Sequence, residues 1–276
     1  MKISILYICI GKYTVFWEDF FESCERRFLP KYEKHYFVFT DAPSLYYESQ
    51  CPRIHRIHQE NLGWPYNTLM RFAMFSSIKK QLEGGGVIYF FNANAVFLEE
   101  IGEEFLPIEQ DLVFVNNIYD KLLGARVDDF TYERNPLSLA YIPYGVGKYY
   151  VRGGVNGGKT QAYLELVEVL KERIEKDLSN GIIAQWHDES HINRYIIDLV
   201  EDKDYKILSA SYAFPQNFDP FLPYSCKILM RDKNLFGGHD FMRGVVSTDA
   251  TTVSRARKLL SFLKTKTKQL LKCLIK

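Results

Sequence analysis

The run Trp186-His187-Asp188-Glu189-Ser190-His191-Ile192-Asn193 gathers two adjacent carboxylates, two imidazoles and an indole within eight residues. A carboxylate is what a substitution needs where positive charge develops at carbon, and an indole face packs on the apolar face of a sugar ring. By residue type alone the same run also reads as a helix N-terminus, with Asp188 or Ser190 as cap and acidic residues favoured by the dipole. A second candidate is Asn92-Ala93-Asn94, two polar residues flanking a small one directly after the apolar run Val87–Phe91. Asparagine is a common turn residue, yet the end of a buried strand is where open α/β sheets bind ligands. Arg71, the cluster Arg231-Asp232-Lys233-Asn234 and Arg243 supply cations that could offset the charge of a departing anion. Neither GxGxxG nor GxxxxGKS occurs, so a phosphate ligand must be held in some other way.

The elements that position these residues follow from periodicity. Residues 3–9 and 36–39 are short β-branched and aromatic runs, and residues 16–28 between them have apolar positions at helical spacing, a parallel α/β unit. A second helix is expected over 68–82, with Leu69, Phe72, Phe75 and Ile78 on one face and Gly84-Gly85-Gly86 as its stop. Val87–Phe91 then reads as a buried central strand, with the chain resuming over 95–98. Residues 115–160 are rich in glycine and tyrosine and poor in periodicity, the signature of a loop-built binding surface. Helices are expected over 161–177 and 190–199. No internal repeat is present.

With 47% hydrophobic and 25% charged residues over 276 positions, the chain has the composition of a folded protein rather than a disordered one. The formal charge is +1, but residues 251–276 hold eight basic side chains and no acidic one. The other 250 residues therefore carry 27 basic against 34 acidic side chains, or −7. That balance gives no reason to expect a nucleic-acid partner. No apolar run is long enough to span a bilayer, and the apolar start lacks a small-residue cleavage site, reading as a first strand rather than a signal peptide. The five cysteines are scattered and never paired as CxxC, which excludes the usual zinc spacings and a disulfide framework and fits a reducing cytoplasm.

Four segments occur in one order and spacing: Phe130-Thr131-Tyr132-Glu133-Arg134; Tyr141-Ile142-Pro143; Tyr149-Tyr150 followed by Gly153-Gly154 and Gly157-Gly158; and the run ending at Asn193. Together they resemble glycosyltransferase family 6, over about residues 3–243. The resemblance implies an α/β GT-A glycosyltransferase fold, a Rossmann-like mixed sheet flanked by helices, in a catalytic domain over 1–245 followed by a tail over 246–276. It implies transfer of Gal or GalNAc from a UDP-sugar to O3 of a galactose, in α-1,3 linkage and with retention. Glu189 then matches the nucleophile or ion-pair stabiliser, Asp188 a donor-sugar ligand, Trp186 the residue packing on the acceptor galactose, and His187 a sugar contact. Ile10 and Tyr13 match uridine contacts, and Arg71, Lys233 and Arg243 the cations about the diphosphate.

Vertebrate members of that family place Asp-x-Asp where this chain has Asn92 and Asn94. Amide oxygens are poor ligands for a hard divalent cation, and the exchange removes two negative charges. The expectation is a metal-independent enzyme with no metal ligands and no cofactor, as in bacterial members with the same substitution. Donor choice is expected at Gly153 and Gly154: glycine at 154 leaves room for the C2 acetamido group, so UDP-GalNAc is the expected donor and UDP-Gal the alternative. Arg152 stands where a small or apolar residue is usual. Thr131 matches an acceptor-contacting threonine. The expected His-Pro-Gly stretch is replaced by Val115-Asn116-Asn117-Ile118-Tyr119, which leaves Asn117 or Asn116 to take the histidine's role toward a galactose-terminated, fucosylated or lipid-linked acceptor. A carbohydrate-binding relative without catalysis and a UDP-sugar hydrolase are the competing readings.

In the tail, Val253, Ala256, Leu260, Leu263, Leu270, Leu271 and Leu274 fall on one helical side, largely opposite Arg255, Lys258, Lys266, Lys272 and Lys276, with Phe262 out of place. A basic amphipathic helix is a membrane-surface anchor, with about 1 kcal/mol per basic residue near anionic lipid. A partner-binding helix and a solvated appendage are the other readings. The anchored reading places the chain at the cytoplasmic face of a membrane.

Overall fold

Alternation along the first strands sets the layers. In β1 (Ile3–Ile8), Ile3, Ile5 and Tyr7 face one core and Leu6 the other. The helix α1 (Trp17–Arg27), entered through a 3-10 turn over Gly11–Phe16, covers the first face with Trp17, Phe20 and Cys24. β2 (Lys34–Thr40) and β3 (Ile54–His58) extend the sheet in parallel. The computed structural model describes residues 1–118, 124–201, 203–217 and 223–245. The tail assigned to 246–276 lies outside them.

The helix expected over 68–82 is three short ones, α2 (Tyr66–Leu69), α3 (Arg71–Ser77) and α4 (Lys79–Leu82), broken at Met70 and Ile78. Its four apolar residues are nevertheless all buried, so the apolar stripe is present although the helix that carries it is not continuous. β4 (Val87–Phe91) is buried at every position, with Tyr89 and Phe91 in one core and Ile88 and Phe90 in the other, which is why it reads as a continuous apolar run. The residues after it, β5 (Ala95–Phe97), leave this sheet altogether.

The loop expected through 115–160 overlaps the end of one strand, β6 (Leu112–Asn116), and hides another, β7 (Val151–Lys159). β7 is inserted antiparallel between β4 and β6. Its four glycines conceal it from pattern reading, but they are what admits it: a Cβ on Gly157 would lie 2.1 Å from Tyr89 Cδ1 and 2.5 Å from the Ile88 carbonyl. The backbone takes the space a side chain would need. Helices α5 (Thr160–Ser179) and α6 (Asp188–Ile197) pack on the second face, and β8 (Tyr205–Leu208) closes the sheet in the order β3-β2-β1-β4-β7-β6-β8. This is a mixed α/β sheet flanked by helices, consistent with a GT-A glycosyltransferase fold.

A small second sheet, of β5, β9 (Phe214–Pro215) and β10 (Ile228–Met230), carries the late segment back to the main sheet. After β10 the Arg231 amide donates to the Asn94 carbonyl (2.9 Å), and the chain turns through a 3-10 helix over Lys233–Phe236 into α7 (His239–Arg243). Among the described residues no helix is long and apolar enough to cross a membrane.

Candidate active site

β1 and β4 run parallel, so their carboxyl ends deliver Ile10 and Asn92 to one edge of the sheet. β7 runs the other way, so its beginning, Tyr150 to Gly154, arrives at that same edge, and the Asn92 amide continues the ladder by donating to the Gly154 carbonyl (2.8 Å). A cavity of about 320 Å³ opens there. Seven residues singled out in the sequence line it: Ile10, Tyr13, Arg71, Asn92, Asn94, Lys233 and Arg243. Lys12 makes a fourth basic residue, and no carboxylate is among the lining residues. Such a charge balance recruits a multiply charged anion.

Each cation is held differently. Arg71 is buried, its guanidinium 4.4 Å from the Phe90 ring centroid, and it forms an ion pair with the buried Asp188. Burial lowers its pKa to about 10. Lys233 lies 5.1 Å over Tyr13, and burial followed by the nearby Arg243 charge lowers its ammonium pKa to about 8. Arg243 stacks 3.6 Å from the Trp64 ring centroid, and Trp64 meets His187 edge-on at 4.8 Å. Burial, then Arg243, pulls His187 below the usual imidazole range. Three buried polar atoms about this cavity have no hydrogen-bond partner among the described residues: Arg71 Nε, Asn94 Oδ1 and Arg243 Nε. Buried polar atoms are ordinarily paired, so the orphans mark a place built for a polar ligand. Arg231, by contrast, does not line the cavity: it pairs with Asp19 at 2.5 Å and stacks on Phe236.

Asn92 and Asn94 make a poor metal seat. The Asn94 side-chain NH2 donates to the Arg231 carbonyl (2.7 Å), which leaves one neutral oxygen. The Asn92 carboxamide lies over Gly154, where a Cβ would come within 2.7 Å of Nδ2. Two amides among four cations do not fit a hard divalent ion. The room anticipated over Gly154 is thus occupied by Asn92 itself.

Beside the cavity, Glu189 is fixed by two donors. The Tyr150 hydroxyl donates to Oε1 (2.8 Å) and the Gly153 amide to Oε2 (2.7 Å). Gly153 can approach because it has no side chain: a Cβ would sit 2.9 Å from Arg71 Nη2 and 3.0 Å from Glu189 Cβ. Asn193, one turn further along α6, clasps β7 by accepting from the Val151 amide (2.9 Å) and donating to the Val151 carbonyl (3.0 Å). α6 begins at Asp188, so the acidic pair does occupy a helix start, but His187, at φ +54°, is the cap and makes no side-chain capping bond. Ser190 accepts from the Trp186 amide (3.0 Å) instead. Burial, followed by the Glu189 charge, raises the Tyr150 pKa well above its usual value, so its proton stays on the phenol.

Of the acceptor candidates, Thr131 and Asn117 meet Tyr150, whereas His187 packs on Trp64 at the cavity. Trp186 is 47% exposed, Thr131 is exposed and hydrogen-bonded to Tyr150, and the Asn117 amide donates to the Tyr150 carbonyl (2.8 Å). Glu133 joins the two motif segments, accepting from the Gln185 amide (2.6 Å). Asp177 accepts from Ser138 (2.5 Å) and faces the buried His191 at 3.6 Å. Tyr150, Asn193, Lys12 and Trp64 were not picked out by residue type. The one signal available was their place inside or beside segments already marked.

Glycosyltransferase family 6 matches residues 1–234 of the chain. The chain belongs to that family. It is 35% identical over 233 residues to the O-antigen biosynthesis glycosyltransferase WbnI of Escherichia coli, covering 84% of this chain and 95% of that protein. It is 31% identical over 225 residues to the histo-blood group ABO system transferase 1 of Rattus norvegicus and 30% identical over 225 to the globoside alpha-1,3-N-acetylgalactosaminyltransferase 1 of Homo sapiens. Each of these two alignments covers 78% of this chain and 61% of the vertebrate protein. Family membership gives the site its reactants, a nucleotide-sugar donor and a glycan acceptor.

Proposed function

We propose that the chain moves GalNAc from UDP-GalNAc to O3 of a terminal galactose, in α-1,3 linkage with retention and without a divalent metal. The observation that carries this is the pairing of a cavity lined by four basic residues and no carboxylate with the doubly bonded Glu189 carboxylate at its rim. Lys12, Arg71, Lys233 and Arg243 offset the charge that collects on the departing diphosphate. Glu189 faces the positive charge that collects at the anomeric carbon. Both of its oxygens already accept a hydrogen bond, which suits an electrostatic stabiliser better than a free nucleophile. Tyr150 keeps its proton and serves to orient.

For the donor, the Asn92 amide over Gly154 offers a hydrogen-bonding partner to a C2 acetamido group, and a Cβ at 154 would displace it. The names of the human and chicken relatives, globoside alpha-1,3-N-acetylgalactosaminyltransferases, support the same choice. The test is a donor-by-acceptor screen in EDTA, with product linkage read by NMR. An α-linked GalNAc product formed undiminished by chelator is expected. A β-linked product, a clear preference for UDP-Gal, or loss of transfer on chelation would each overturn the corresponding part.

A further inference from the structure

One exposed aromatic ring is joined to the reacting centre by an unbroken ladder of contacts. Tyr150, bonded to Glu189, lies 5.6 Å from the Tyr132 ring. The Arg134 guanidinium is 5.3 Å from the Tyr132 ring centroid and 4.2 Å from that of Tyr144. Tyr144 is 69% exposed, the most exposed aromatic side chain among the described residues. Its support is nevertheless fixed. Arg134 Nη1 donates to the Ile142 carbonyl (2.6 Å), the Ile142 amide to the Glu133 carbonyl (3.0 Å), and the Gly145 amide to Asp128 Oδ1 (2.6 Å). One ring face rests on the guanidinium and the other is open to solvent. Glu133, next to Arg134, also accepts from the amide of Gln185, the residue before Trp186 in the chain.

An exposed aromatic ring on a fixed support is a stacking platform for a sugar, because the apolar face of a pyranose fits a π-face. We infer that Tyr144, backed by Arg134, forms a distal acceptor subsite for a neutral sugar ring further along the acceptor than the galactose that receives the donor. The inference rests on the glycan-acceptor reading of the same site. It implies that acceptors longer than a disaccharide are preferred and that the preference resides in KM.

The test compares lactose with lacto-N-neotetraose as acceptors, for the wild-type chain, Tyr144→Ala and Tyr144→Phe. The tetrasaccharide should show the lower KM in the wild type. Tyr144→Ala should raise that KM about three- to tenfold, the range for one aromatic contact, with kcat and the lactose KM unchanged. Tyr144→Phe should behave as wild type, since stacking uses the ring and not the hydroxyl. Equal effects of Tyr144→Ala on both acceptors, or none on either, would overturn the subsite. Saturation-transfer NMR of the tetrasaccharide with UDP present reads binding without turnover. Saturation of the distal rings in the wild type and its loss in Tyr144→Ala would support the subsite even if no donor were transferred, in which case only the proposed reaction fails. No distal saturation in the wild type would overturn the subsite.

Discussion

In the proposed site Lys233 should make nucleotide binding a proton-linked reaction. Burial and Arg243 hold its pKa near 8 in the unliganded chain, below the ordinary 10.5. A diphosphate set beside it restores the charged form, so the pKa rises on binding and the ligand favours protonated protein. UDP affinity should thus hold steady below pH 8 and weaken above it, by about tenfold between pH 7 and 9. At pH 8 binding should take up about half a proton per site. Lys233→Arg keeps the positive charge but does not titrate in this range, so its affinity should lose this slope and its proton uptake should vanish. Ionisation of the uracil ring affects both proteins alike, and the difference between them isolates the lysine. Titration calorimetry with UDP at pH 7, 8 and 9, at constant ionic strength and in two buffers of different protonation enthalpy, measures both quantities. The same pH dependence in wild type and Lys233→Arg, with no proton uptake by either at pH 8, would refute the argument.

Glu189→Gln should lower transfer by a factor on the order of hundreds or more while UDP binding survives, checked by initial rates and calorimetry. Asn92→Asp combined with Asn94→Asp should not create a manganese-activated enzyme, because Arg71, Lys233 and Arg243 oppose a cation; strong activation by added manganese would contradict this. Asn193→Ala should cost about 1–3 kcal/mol in denaturant unfolding, because it strands the buried Val151 amide and carbonyl, and should lower kcat as Glu189 loses its register with Gly153. Burial depresses the pKa of His191 below its unfolded value, partly opposed by Asp177. The unfolded chain therefore binds the proton first, and stability should fall as pH drops below about 6.5; His191→Gln should flatten the decline seen in thermal melts between pH 7 and 5.

Legibility in the sequence followed side-chain content. Val87–Phe91 was readable because both of its faces are buried, and the apolar stripe from Leu69 to Ile78 because helices bury at a fixed spacing. β7 was not, since pattern reading weighs side chains and this strand pairs through a nearly bare backbone. The breaks at Met70 and Ile78 also left no local mark, as neither is glycine or proline. For the site, Arg71, Lys233 and Arg243 were found by their charge, and the structure gathers them about one cavity. Arg231 carries the same charge, yet its role as the partner of Asp19 depends on where β10 ends, a tertiary fact. Tyr150 and Asn193 act by holding Glu189 and β7, and such service to a neighbour is invisible until the neighbour's position is known.

The contact of Gly157 with Tyr89 couples two positions far apart in the chain. They draw on a single allotment of volume at the centre of the sheet, so neither can grow unless the other shrinks. Alanine at 157 should be ruinous, and leucine at 89 should relieve only the part of the clash that comes from the ring, because the Ile88 carbonyl would still lie 2.5 Å from the new carbon.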